Sequence, residues 1–210
     1  MLEIAKISPA LTRDGILKAF GDIPFNPIAC DTWHPTDNVP SVRFRIAHSP
    51  DAIFLHYEVA EPEMRMAASF DGDRVWEDSC VECFIAPDND DFYYNFEFSA
   101  AGFVYINGGR PGDRIAPAPE VFASVKRWPE VPSAPSEDGF FHWSLVAMIP
   151  VTAFFRHRIG KLDGISCKAN FYKCGDLLPR PHFLSWAPID LPEPAFHCPK
   201  FFAPVRFVEK

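Results

Sequence analysis

Residues 71–106 read DGDRVWEDSCVECFIAPDNDDFYYNFEFSAAGFVYI, and their alternation decides the fold. Val81, Cys83 and Ile85 point one way, and Cys80, Glu82 and Phe84 the other. After the turn-forming run Ala86-Pro87-Asp88-Asn89-Asp90-Asp91, Phe92, Tyr94, Phe96 and Phe98 share one face, with Tyr93, Asn95, Glu97 and Ser99 opposite. Unbroken period 2 on both sides of a polar turn marks a hairpin with one buried face. A one-residue slip would turn every phenylalanine to the polar side, so the parity is firmly set. Symmetric closure predicts Ile85 opposite Phe92, Cys83 opposite Tyr94 and Val81 opposite Phe96. On the outer face it predicts Phe84 with Tyr93, Glu82 with Asn95 and Cys80 with Glu97. Glu82, Asn95 and Glu97 then share that face, with Trp76 at the strand entrance. Carboxylates and an amide beside an indole suit a pyranose, which offers hydroxyls along its edge and an apolar C–H face. The plainer reading is a solvated strand face with a Trp capping the core.

The same rhythm continues outward. Val42, Phe44 and Ile46 alternate with Arg43 and Arg45, and a turn at Pro50-Asp51 leads into Ile53, Leu55, Tyr57 and Val59. Further strands are expected at 121–125, at 140–150 with Trp143 inward, at 165–172, and at the end through Phe201, Ala203, Val205 and Phe207. Gly108-Gly109-Arg110-Pro111-Gly112 reads as a loop, and so does 129–139. Short helices are expected near 11–20 and 151–158. Eight or more strands with little helix predict an all-β fold, an antiparallel β-sandwich of the immunoglobulin or jelly-roll kind. Residues 1–38, whose loose alternation ends at His34-Pro35, are expected as an N-terminal extension packed on a sandwich of residues 39–210.

Composition bounds the function. With 210 residues, 48% hydrophobic content and 21 Phe, the chain can bury a sizeable core. A net charge of -8 argues against nucleic acid or an anionic membrane as the main partner. The 22 prolines suit many short strands with irregular connections. The first 21 residues carry no signal-like apolar run, which fits a cytoplasmic chain or a mature periplasmic or secreted one equally. Of the six cysteines, Cys80 and Cys83 are spaced like half a zinc site. Three apart on a strand they face opposite sides, so free thiols are expected.

The run Trp76 to Asn89, followed by Asn95-Phe96-Glu97-Phe98 and Gly102, resembles the central signature of family 9 carbohydrate-binding modules. The pieces Asn170–Cys174, Leu184–Pro188 and Phe196–Phe202 continue the likeness in order. The resemblance implies a sugar-binding β-sandwich that accompanies a glycoside hydrolase in polysaccharide breakdown, for example a xylanase. It places a first clamping tryptophan at Trp76 and a second at Trp186, with Glu82 and the amide of Asn95 on the hydroxyls; Glu97, which departs from the family pattern, joins them as a candidate through its place on the same outer face. It also implies calcium in an acidic turn, for which Asp88 and Asp90 are the candidates. Other readings stay open at this point. Glu82 and Glu97, set diagonally, could act as a retaining glycosidase pair. Met64, Met66 and His56 could hold haem, as related sandwiches do. A sandwich without a ligand would serve as a structural domain.

Overall fold

The computed structural model describes residues 1–33 and 39–209. The break expected at His34-Pro35 and the boundary at residue 38 lie outside the described residues. Strand β1 (Leu2–Lys6) leads to helix α1 (Arg13–Phe20), then to β2 (Asn26–Pro27), β3 (Ser41–His48) and β4 (Ala52–Glu61). The central hairpin is β5 (Cys80–Ala86) and β6 (Tyr93–Ser99), followed by β7 (Val104–Arg110) and β8 (Asp113–Ile115). Helix α2 (Pro119–Ser124) precedes β9 (Lys126–Glu130) and β10 (Phe141–Pro150). The chain ends through β11 (Ser166–Cys174), β12 (Phe183–Ser185) and β13 (Ala203–Phe207). Among the described residues no helix is long and apolar enough to cross a membrane.

The fold is mostly β, and its strands pair along one continuous curled path, β8-β7-β6-β5-β11-β13-β1-β3-β4-β10-β9, with β12 beside β11 and β2 beside β3. The turning point is β1. Leu2 to Ile4 pair with Val205 to Phe207 of β13, whereas Ala5 and Lys6 pair with Ala47 and His48 of β3. Both pairings are parallel, which corrects the expectation of antiparallel pairing throughout. Through these pairings β1 is a strand within the sheet.

One apolar cluster fills the space between the two halves. It takes Val81, Cys83, Ile85, Tyr94, Phe96 and Phe98 from one half and Val42, Phe44, Leu55, Tyr57, Trp143 and Leu145 from the other. Phe44 stacks on Phe171 across it, with ring centroids 3.9 Å apart. Each large side chain buried here contributes roughly 1.5–3 kcal/mol of hydrophobic free energy. The cluster also encloses an ion pair. Lys173 Nζ lies 2.8 Å from Glu61 Oε2, both side chains are fully buried, and Trp143 Nε1 donates to Glu61 Oε1 at 2.6 Å.

The parity of the central hairpin is as expected, but the register differs by two. Ile85 lies opposite Tyr94, Cys83 opposite Phe96, Val81 opposite Phe98 and Glu82 opposite Glu97. Parity permits either register, and the turn decides. Asp90 Oδ1 accepts from the Phe92 backbone N–H at 2.8 Å, and Asn89 takes a left-handed φ of 60°. Phe92 is therefore held in the turn, edge-on to His157, and does not join the ladder.

Three local expectations are also corrected. The segment expected as a strand at 121–125 is largely α2, with Pro119 in its first turn, where a missing N–H costs little. At 151–158 only a 3₁₀ turn forms, Val151–Ala153. Gly108 and Gly109 belong to β7 rather than to a loop. A Cβ on Gly108 would come within 2.6 Å of the Tyr94 ring, and one on Gly109, at φ 154°, within 1.9 Å of the Asp113 carbonyl oxygen. Glycine at these two sites lets β8 fold back tightly and brings Arg114 over the outer face.

Candidate functional site

The outer face of β5 and β6 is the floor of a cavity of about 600 Å³. Cross-strand pairing arranges the floor in rows. One row runs Tyr105, Glu97, Glu82, Tyr172 across β7, β6, β5 and β11. The next toward the Trp76 end runs Cys80, Cys174, Phe183 across β5, β11 and β12. On the other side lie Phe84, Asn95 and Asn107. Tyr105 and Phe183 therefore stand on opposite flanks of the floor.

The walls are aromatic and held in place. Trp76 sits on the 3₁₀ turn Val75–Glu77 and meets Tyr105 edge-on, with centroids 4.9 Å apart. Its loop is pinned by the buried Asp78, whose Oδ2 accepts from the N–H groups of Ala67 and Ala68 at 2.8 Å each and whose Oδ1 pairs with Arg65. The Asp176 N–H donates to the Trp76 carbonyl at 3.1 Å and ties that loop to the end of β11. The segment Pro194–His197 covers another side of the cavity. Phe196 stacks on Tyr172 at 4.1 Å, and Trp33 fastens the preceding chain by donating to the Leu191 carbonyl at 2.8 Å.

The floor is polar and buried. Asn95 Nδ2 donates to Glu97 Oε1 at 2.7 Å, and Arg114 donates to Asn95 Oδ1. Arg114 lies over the Tyr93 ring and also donates to the carbonyls of Gly109 at 3.0 Å and Tyr93 at 3.2 Å. The Cys174 thiol donates to Glu82 Oε1 at 3.1 Å. Glu82 is 2% exposed and its Oε2 has no hydrogen-bond partner among the described residues. Burial raises the carboxyl affinity for protons: Glu82 stands well above its ordinary value, Glu97 at about 7 and Asp176 at about 6. Cys174 and Glu97 push Glu82 further in the same direction, and Glu77 does so for Asp176. The arrangement can seat a flat apolar face against rings and exchange hydrogen bonds with an edge of hydroxyls.

The structure brings Trp76, Glu82, Asn95 and Glu97 together around the cavity. It places Trp186 elsewhere, against the inner core and edge-on to Phe44 and Phe171. Glu82 and Glu97 stand directly opposite each other rather than diagonally. Asp90 pairs with Arg110 and the Phe92 N–H, and Asp88 Oδ2 meets His157 Nε2 at 3.1 Å. Both turn carboxylates thus have protein partners. His56 is bonded to Arg45 on the outer face of β4, Met64 packs on the inner core, and Met66 is exposed. Among the described residues, Cys80, Glu82 and Cys174 form a group whose ligand atoms could meet on one metal ion, all within 4.8 Å of one another. Burial pushes the Cys80 thiol up to about 12 and Cys174 well above its ordinary value, so both rest as thiols. Cys83, on the opposite face, packs in the inner core.

Sequence reading missed Arg114, Tyr105, Phe196 and Asp176. Tyr105 carried a signal, since it lies two residues from Phe103 and Asn107 on an alternating strand. Arg114 sits on a three-residue strand behind a glycine turn, where no periodicity can be read.

The chain belongs to carbohydrate-binding family 9, whose model matches residues 14–207. A Bacteroides uniformis protein named for an expected carbohydrate-binding role is 44% identical, covers 98% of each chain and superposes with a TM-score of 0.88. A family 9 module from Caldicellulosiruptor kristjanssonii, solved with glucose and with cellotriose, shares the fold at 10% identity. Its TM-scores are 0.63 and 0.65, with 100% of this chain and 96% and 94% of the others covered. No curated protein matches the chain.

Proposed function

We propose that this chain is a non-catalytic carbohydrate-binding module that seats a pyranose of a glucan- or xylan-type saccharide in the cavity over β5 and β6. The observation that carries the reading is the joining of aromatic walls and a buried polar floor in one cavity of about 600 Å³, a size and character typical of small-ligand sites. The Caldicellulosiruptor module, which holds glucose in one crystal and cellotriose in another, supports a sugar as the occupant. In this reading the sugar's C–H face stacks on Trp76, and Glu82, Asn95 and Glu97 orient its hydroxyls. Trp186 takes no part. Phe183 and Phe196 supply the apolar surface assigned to Trp186 by the sequence likeness. A module of this kind serves polysaccharide breakdown by keeping a glycoside hydrolase near its substrate.

Affinity is expected between micromolar and millimolar, about -4 to -8 kcal/mol. Calorimetric titration with glucose and cellotriose tests the reading, with wild type and Trp76→Ala side by side. Wild type is expected to bind, and the variant to lose at least about tenfold, a little over 1.4 kcal/mol. A folded wild-type protein that binds nothing across a broad glycan array sinks the proposal.

A further inference from the structure

We infer that the cavity's preferred occupant is an amino sugar, a glucan-type ring bearing a protonated primary amine, with the ammonium placed against Glu82. The inference rests on the sugar-binding reading and sharpens it.

The charges in the cavity do not balance. Glu82, Glu97 and Asp176 line it, and among the described lining residues Arg114 is the one full cation. Arg114 is already spent: its printed hydrogen bonds go to Asn95 Oδ1 and to the carbonyls of Tyr93, Gly109 and Asn107, and none to a carboxylate. Glu82 and Glu97 face each other directly across neighbouring strands, an unfavourable position for two like charges. No ion pair reaches Glu82, Glu97 or Asp176 among the described residues. Lys173 lies next to Cys174 in the chain, but it points to the opposite face and pairs with Glu61.

Glu82 Oε2 is the sharpest feature. It is buried and without a partner among the described residues, and a carboxylate oxygen in such a place is strongly unfavourable unless something compensates it. A neutral hydroxyl would give it one hydrogen bond. An ammonium group gives a charge-assisted hydrogen bond and relieves the repulsion among all three acids. The walls suit the same group. Trp76 and Tyr105 stand at one side of the floor, and rings beside carboxylates form the usual cage for an organic cation. The proton affinities agree. Burial raises all three carboxyls, repulsion from Glu97 and Asp176 adds to it at Glu82 and repulsion from Asp176 at Glu97, and an entering ammonium counters both causes and displaces the proton from Glu82.

Calorimetry at neutral pH with glucosamine, glucose, N-acetylglucosamine and cyclohexylamine tests the inference. The expected result is glucosamine at least tenfold tighter than glucose and N-acetylglucosamine, with cyclohexylamine weaker than glucosamine. Glu82→Gln should bring the glucosamine-to-glucose ratio close to one. Should that variant fail to fold, Asp176→Asn at the half-buried rim should lower the same ratio. If glucose binds as tightly as glucosamine, the inference fails and the sugar-binding reading stands. If cyclohexylamine matches glucosamine, the cavity reads amines without sugars and the inference fails. If no saccharide binds to folded protein, both fail.

Discussion

Glu97 is a carboxyl group that folding holds close to neutrality. Its value of about 7 stands against an ordinary 4.5, and Asp176 stands at about 6 against 3.8, burial being the first cause for each. From about pH 4 to 7 the folded chain therefore holds more protons than the unfolded one, and these two groups make stability fall as pH rises through that window. Two buried histidines act in the opposite sense. Burial lowers His56 to about 4 and His182 to about 2, helped by Arg45 and Lys173 respectively. The unfolded chain binds their protons below about pH 6.5, so their contribution is present above that value and lost on acidification. Glu97→Gln removes one of the opposing acids. Urea unfolding from pH 5 to 7 should then show stability rising more steeply with pH than in wild type, by up to about 1.4 kcal/mol per unit. Parallel curves for the two proteins would mean that Glu97 is an ordinary carboxylate.

Among the elements, β4 and β11 carry the most demanding contact. Glu61 and Lys173 approach from different halves of the sheet and meet where no water reaches them. Lys173→Met should cost about 3–5 kcal/mol, because it strands a buried carboxylate. Adding Glu61→Gln, which keeps an acceptor for Trp143, should restore much of that loss. A single variant as stable as wild type in urea would show the pair to be dispensable. This contact was invisible beforehand, since Lys173 stands in a strand where alternation marks it only as one of a face. Legibility followed the same logic elsewhere. The faces of β5 and β6 could be read because parity alone fixes them. Their register could not, because a two-residue shift preserves parity and the Asp90 turn selects between the options. Glu82, Asn95 and Glu97 could be placed on one outer face for the first reason. Arg114 and Phe196 were missed because long-range chain placement, not local pattern, brings them to the cavity. Trp186 was misplaced because an indole suits a core as well as a clamp.

At the scale of the whole molecule, all six cysteines are free thiols, four buried and two, Cys30 and Cys198, half-buried. Burial alone raises Cys167 to about 12, which adds chemical inertness to poor access. Native protein exposed to a thiol reagent should modify at most those two quickly, while the other four react at the rate of unfolding. Fast modification of a third site would show that the region around it opens without global unfolding.

The parallel seam at β1 bears on synthesis. Leu2–Ile4 pairs with Val205–Phe207, far along the chain. During synthesis Leu2–Ile4 thus wait for Val205–Phe207, and a nascent chain that has not yet reached them keeps a raw strand edge on each half. Closure is a late, long-range event, with the slow kinetics that distant contacts impose.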